Sequence, residues 1–320
     1  MAGNEFVNKP LKPFSTLYFM GCYKGRSDSM KRHHYIPQVY LRRFVNPQCK
    51  RELWQYSMQD GSAIASTPKA AGCADYYHSF QTATGRDDES IERSFHEQEN
   101  NLPRLFESLR AHRDPDEKEW WTPFWMVALH MVRVPKFQDR FGAFMSEVYQ
   151  HAFEISRHTP GFVAVCQQAG ISPAAEFKVT AAQDAVLCLS LARFLDLTRY
   201  LNRMSWRFLC APAGSHFFTT DAPVKLWAPP EDRGPFDAVG LLTSGCELTF
   251  PLTRSVCAVA SHESRPPHLY LPVDGAAVSR INQRVISGAY HYVYGPTDNP
   301  EIRSYTSAIA IQRNSLATAQ

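Results

Sequence analysis

The hydrophobic pattern of this chain changes period near Ser205, and that change limits the folds open to it. Between about residues 89 and 204 apolar residues recur at helical spacing. Beyond Ser205 they fall into short runs, "WRFLCAP", "HFFTT", "CELTFPL" and "VCAVASH", with Gly and Pro between them. Ahead of the helices, "RELWQYSMQDGSAIA" alternates Leu53 and Gln55 with Trp54 and Tyr56, then meets an Asp60-Gly61 turn, the pattern of a β-hairpin. Hairpin, helical middle and β-rich end predict an α+β fold rather than regular βαβ alternation. We expect an N-terminal extension at 1–29, one α+β domain at 30–305 and a C-terminal tail at 306–320.

In the middle, Ile91, Phe95, Leu102, Leu105 and Leu109 form one stripe, which Pro103 should kink or restart. "DEKEWWTPFWMVALHMVRV" predicts a second helix, Pro135 to about His158 a third and Pro173 to Met204 a fourth. The fourth is apolar nearly all round, which predicts a central buried helix. Later, "DGAAVSRINQRVISGA" predicts a helix and "YHYVYG" a last strand.

Composition excludes several classes. With 44% hydrophobic residues in 320, a sizeable core is affordable to the chain. The formal charge of +3 demands no polyanionic partner, although residues 1–50 carry nine basic against two acidic side chains, +7, leaving −4 for the rest. The eight cysteines include no pair at two-residue spacing, so they read as buried free thiols. The most apolar windows, "FWMVALHMV" and "AVLCLSLA", are about half the length that crosses a bilayer. A soluble, cytoplasmic chain with no membrane partner is expected.

Several segments, taken in order, resemble one bacterial family, the domain of unknown function numbered 4238. They are "HHYIPQVYLRRF", "LWQY", "ADYY", "IERSFHEQE", "RVPKFQDR", "WRFL", "FFTTDAPV", "FPLTRSV" and "INQRVISGAYHYVYG", covering about residues 30–295. The resemblance implies no established activity.

Candidate chemistry is therefore taken residue by residue. His33 and His34 precede Pro37, which suits a first helical position. Neighbours point about 100° apart on a helix and to opposite faces on a strand, so at most one is the working histidine, as acid, base or ligand. The plain alternative is one capping histidine and one packed beneath it. Asp221, in "FFTTDAPV", stands at a strand end where carboxylates meet ligands, but it can equally close its own turn. Glu92, His96 and Glu99 fall on one helical stripe, able to hold a divalent ion or simply to face solvent. Arg133 ends an apolar helix and can clamp an anion, satisfy helix carbonyls or bridge to Glu92 or Glu99.

Phosphate-binding glycine loops, Gly-x-Ser-x-Gly elbows, His-Glu-x-x-His and dinucleotide fingerprints are all missing. The expectation is a metal-dependent hydrolase of a phosphodiester or nucleotide, serving in bacterial defence or as a toxin. His33 or His34 and Asp221 would be catalytic, Glu92 and Glu99 would hold the metal, and Arg42, Arg43 and Arg133 would hold an anionic nucleic acid or nucleotide. The alternative is a non-catalytic module that binds a ligand or partner.

Overall fold

The computed structural model describes residues 32–46, 48, 52–82, 85–87, 90–172, 176–232, 239–263 and 269–318. The extension expected at 1–29 lies outside them. Strands and helices are numbered in chain order.

β2 (Leu53–Ser57) and β3 (Ala63–Ser66) form the antiparallel hairpin, with Tyr56 opposite Ala63. Gly61, at φ +72°, supplies the left-handed residue of its turn. On its other edge β2 pairs with β13 (Tyr292–Gly295), and β13 with the short β8 (Thr219–Thr220), in the order β3-β2-β13-β8. One sheet thus joins both ends of the described chain. The second sheet is β12 (Tyr270–Pro272), β7 (Ser205–Cys210), β11 (Val256–Ser261), β10 (Glu247–Pro251) and β9 (Lys225–Trp227), in that order, parallel only between β12 and β7. With the helices between, the architecture is α+β.

Helix α1 (Gln38–Leu41) runs into a 3-10 turn at Arg42–Phe44, and Pro37 stands one residue outside it with extended ψ of 135°. The stripe that runs across Pro103 splits into α2 (Ser90–Glu99) and α3 (Leu102–Arg110), since a proline near the start of α3 cannot continue α2. α4 (Glu117–Val132) and α5 (Pro135–Ser156) follow, the second after an extended Val134. Tyr40 ties the layers together: its hydroxyl lies 2.6 Å from both Thr219 Oγ1 and the Pro251 carbonyl, and its ring stacks on Phe250.

The helical middle departs from expectation in two places. Residues 173–204 are not one buried helix: α7 (Gln183–Ala192) and α8 (Phe194–Arg203) break at Arg193, and Leu189 is 40% exposed. The sequence offers two apolar faces, and each needs its own cover. α7 packs on α5 and α8 on α4, so two short helices aim two faces at two neighbours. Between them and α5 lies α6 (Pro160–Gln168), opened by Thr159 and Pro160. After β12, α9 (Gly275–Ile286) is capped by Asp274, and α10 (Pro300–Thr318) closes the chain. Residues 306–318, set apart above as a tail, continue α10, with Thr306 and Ala310 buried. None of the described helices is long and apolar enough to cross a membrane.

Candidate functional site

The histidine pair lies on a strand. β1 (Arg32–His34) pairs antiparallel with β4 (Cys73–Asp75), His33 opposite Ala74, and alternation sends His33 inward while His34 stays half-buried. After β4 the chain turns through Tyr76, whose φ of +55° is unusual for a side chain of its size. That turn brings the His78 amide to His33, donating to Nδ1 at 2.9 Å, and stacks the two rings at 5.7 Å with 9° between planes. Because Nδ1 of His33 accepts, its neutral ring carries the proton on Nε2.

A small hairpin, β5 (Phe80–Thr82) with β6 (Gly85–Asp87), then leads into α2. Ile91 and Phe95 bury its apolar face, and Glu92, beside them, reaches back to the strands. Its carboxylate accepts from His78 Nδ1 at 2.6 Å and from the His34 amide at 3.3 Å. The bond from Nδ1 turns the lone pair of His78 outward on Nε2, as a carboxylate does for a basic or metal-binding histidine. Burial would raise Glu92, but the His78 hydrogen bond and charge, with Arg133, outweigh it and hold the carboxyl at about 2. Burial pushes His78 down to about 4.

His130, packed against Tyr40 and likewise buried, is pushed down to about 3. Both rings stay neutral in the fold where the unfolded chain takes up protons below about pH 6.5. Acidification therefore favours unfolding, by about 1.4 kcal/mol per pH unit for each histidine. The contribution is intact above pH 6.5 and shrinks towards each folded value. Urea unfolding at pH 7 and pH 5 should show the loss, and His78→Gln should flatten the slope by about one proton's share.

Arg133 stands behind the strand, 1% exposed. Its Nε donates to the Tyr35 carbonyl at 2.8 Å, Nη1 to Glu99 Oε1 at 3.1 Å and Nη2 to the His34 carbonyl, while the guanidinium covers the Phe95 ring at 4.7 Å. All three nitrogens are engaged by protein, so this arginine positions β1 against α2. Burial raises Glu99, and Arg133 offsets part of the rise.

His33, His34, Glu92, Glu99 and Arg133 thus gather around β1 and α2. The other candidates lie in other surroundings. His96 is exposed. Arg42 is exposed, and Arg43 lies over the Phe106 ring at 4.5 Å. Asp221 is fully buried, its oxygens accepting the amides of Tyr290, His291 and Tyr292 at 2.8, 2.6 and 3.1 Å, so it fixes the start of β13 against β8. Asp221→Ala leaves three amides without that acceptor and should cost about 2–4 kcal/mol in denaturant unfolding, with ion binding at the histidines retained.

His78 was not singled out by sequence reasoning, and it completes the cluster. One ligand atom from each of His33, His78 and Glu92 lies within 4.8 Å of the others. Nε2 of both histidines, the Tyr77 hydroxyl and Ser79 Oγ are buried without a hydrogen-bond partner among the described residues. Buried polar atoms are ordinarily satisfied, so such a concentration marks a place where a ligand, water or ion completes the bonding. Two imidazoles suit a divalent ion through Nε2, and Glu92, behind the His78 ring on Nδ1, orders that ring in the way a carboxylate backs a metal-binding histidine. Ligation through His33 Nε2 takes the other neutral tautomer, with the proton moved to Nδ1 and the bond from the His78 amide given up.

A family model described as "Protein of unknown function (DUF4238)" matches residues 32–299, most of the chain. The chain belongs to the DUF4238 family. No curated protein and no solved structure matches it. The matched span of this DUF4238 chain holds the whole cluster, from His33 on β1 to Arg133 after α4. The sequence signal for His78 was its place directly after "ADYY", a turn that returns to the strand of the histidine pair.

Proposed function

We propose that this chain is a metal-dependent hydrolase of a phosphodiester or nucleotide, with His33 and His78 as ligands of a divalent ion and Glu92 backing the His78 ring. The observation that carries the reading is the convergence of these ligand atoms within 4.8 Å, with Nε2 of each histidine buried and unpartnered. A bound divalent ion polarises a phosphoryl oxygen and lowers the pKa of water. The chain's own groups do the rest: Glu92 orients His78, pairing with β4 places His33, and Arg133 holds the strand backbone in register. The six described cysteines are free thiols, which supports a reducing, cytoplasmic setting; the bacterial defence or toxin role is part of the proposal.

The test is hydrolysis of bis(p-nitrophenyl) phosphate by metal-stripped protein, to which zinc, manganese or magnesium is returned. The proposal expects turnover that chelation abolishes and one of these ions restores. Absence of turnover with every ion, in folded protein, counts against it. A non-catalytic binding module is the second reading, favoured by the burial of His33 and His78 at 0% and 1% exposure. On that reading the ion or ligand binds and stabilises the fold while no phosphodiester is cleaved.

A further inference from the structure

Three elements bring cations to one turn. Lys136, on the first turn of α5, donates through Nζ to the Gly288 carbonyl at 2.6 Å. The stem of Lys225 on β9 passes the same glycine, its Cδ 3.3 Å from where a Cβ at Gly288 would stand. Arg313 of α10 donates to the Tyr290 carbonyl at 2.8 Å. Arg140 is exposed one helical turn after Lys136, and its charge bears on both Lys136 and Tyr290. Two carboxylates stand among these four cations, and both are engaged: Asp221 by backbone amides, Asp139 by the Tyr290 hydroxyl at 2.9 Å. Burial, together with the neighbouring cations, lowers Lys136 to about 8.

Half-buried aromatic rings interleave with the charge. The Tyr290 and His291 rings lie 4.0 Å apart, and His291 meets Tyr292 edge-on at 6.2 Å. The patch adjoins the histidine cluster through Tyr77. That ring is 5.0 Å from His78, and the charges of Asp139 and Arg133 both bear on its unpartnered hydroxyl.

We infer that this surface, Lys136, Arg140, Lys225 and Arg313 around the Tyr290-His291 pair, binds single-stranded nucleic acid, its cations on phosphates and its rings against bases. Cations from separate elements suit successive phosphates, and half-buried rings at the surface suit unpaired bases better than a closed duplex. The inference deepens the proposed function by naming its substrate class and rests on that reading only for cleavage; binding stands by itself. The basic excess of residues 1–50 plays no part, since none of the four cations lies there.

Fluorescence anisotropy of the full chain with a labelled single-stranded oligonucleotide of about twenty nucleotides tests it, titrated at several salt concentrations. Wild type should bind with a steep salt dependence, and Arg140→Glu/Lys225→Glu should weaken binding by at least about ten-fold and reduce the salt slope. Arg110→Glu/Arg199→Glu changes net charge equally at two exposed positions away from this surface and should bind as wild type. His78→Ala should bind the strand normally, which separates loss of this surface from loss of hydrolysis. Equal weakening by both charge-reversed pairs, or wild-type binding that ignores salt, overturns the inference.

Discussion

Arg133→Met should unfold with about 3–5 kcal/mol less stability than wild type, the range found when one partner of a buried ion pair is removed. The substitution keeps an unbranched apolar stem, so packing over Phe95 is largely retained and the loss is polar. Three acceptors lose their donor together: the carbonyls of His34 and Tyr35 and the Glu99 carboxylate. Glu99, already raised by burial, is then left buried without its countercharge. The double variant Arg133→Met/Glu99→Gln should recover part of the loss, because an amide is cheaper to bury than a carboxylate. Denaturant unfolding of wild type, both single variants and the double variant measures the coupling directly.

His78→Ala should lower phosphodiester turnover by at least about 10²-fold, since loss of a ligand exceeds the cost of losing a partner behind one. The ring supplies an unpartnered Nε2 to the cluster and a donor to Glu92 through Nδ1. Its amide bond to His33 comes from the backbone and survives the substitution. Glu92→Gln should have a related effect for a different reason: the imidazole remains but loses the carboxylate that fixes its tautomer. Far-UV circular dichroism matching wild type would show that the lost turnover does not follow from unfolding.

Much of the architecture was legible because it rests on local periodicity. The Leu53–Tyr56 alternation with Asp60-Gly61, the restart at Pro103 and the short runs after Ser205 each report on neighbouring residues. What was not legible depends on distant partners. Nothing local says that β13 will pair with β2, or that residues 173–204 will divide to face α5 and α4 separately. The site shows the same boundary. The alternation rule separated His33 from His34 once a strand was assumed, but His78 is a single histidine in a turn, and only folding shows what it faces. Asp221 had two readings that one sequence weighs equally, and its three backbone amides come from residues 290–292, about seventy positions away. The basic surface was invisible for the same reason: Lys136, Arg140, Lys225 and Arg313 are scattered along the chain.

The most direct measurement is the metal content of the folded, stripped and reloaded chain by plasma mass spectrometry, beside His78→Ala and Glu92→Gln prepared in the same way. The proposal predicts close to one zinc, manganese or magnesium ion per wild-type chain, and its loss from both variants under stringent dialysis. A folded wild type that retains none of these ions, or variants that keep the ion as tightly as wild type, would contradict a metal site at His33 and His78 backed by Glu92.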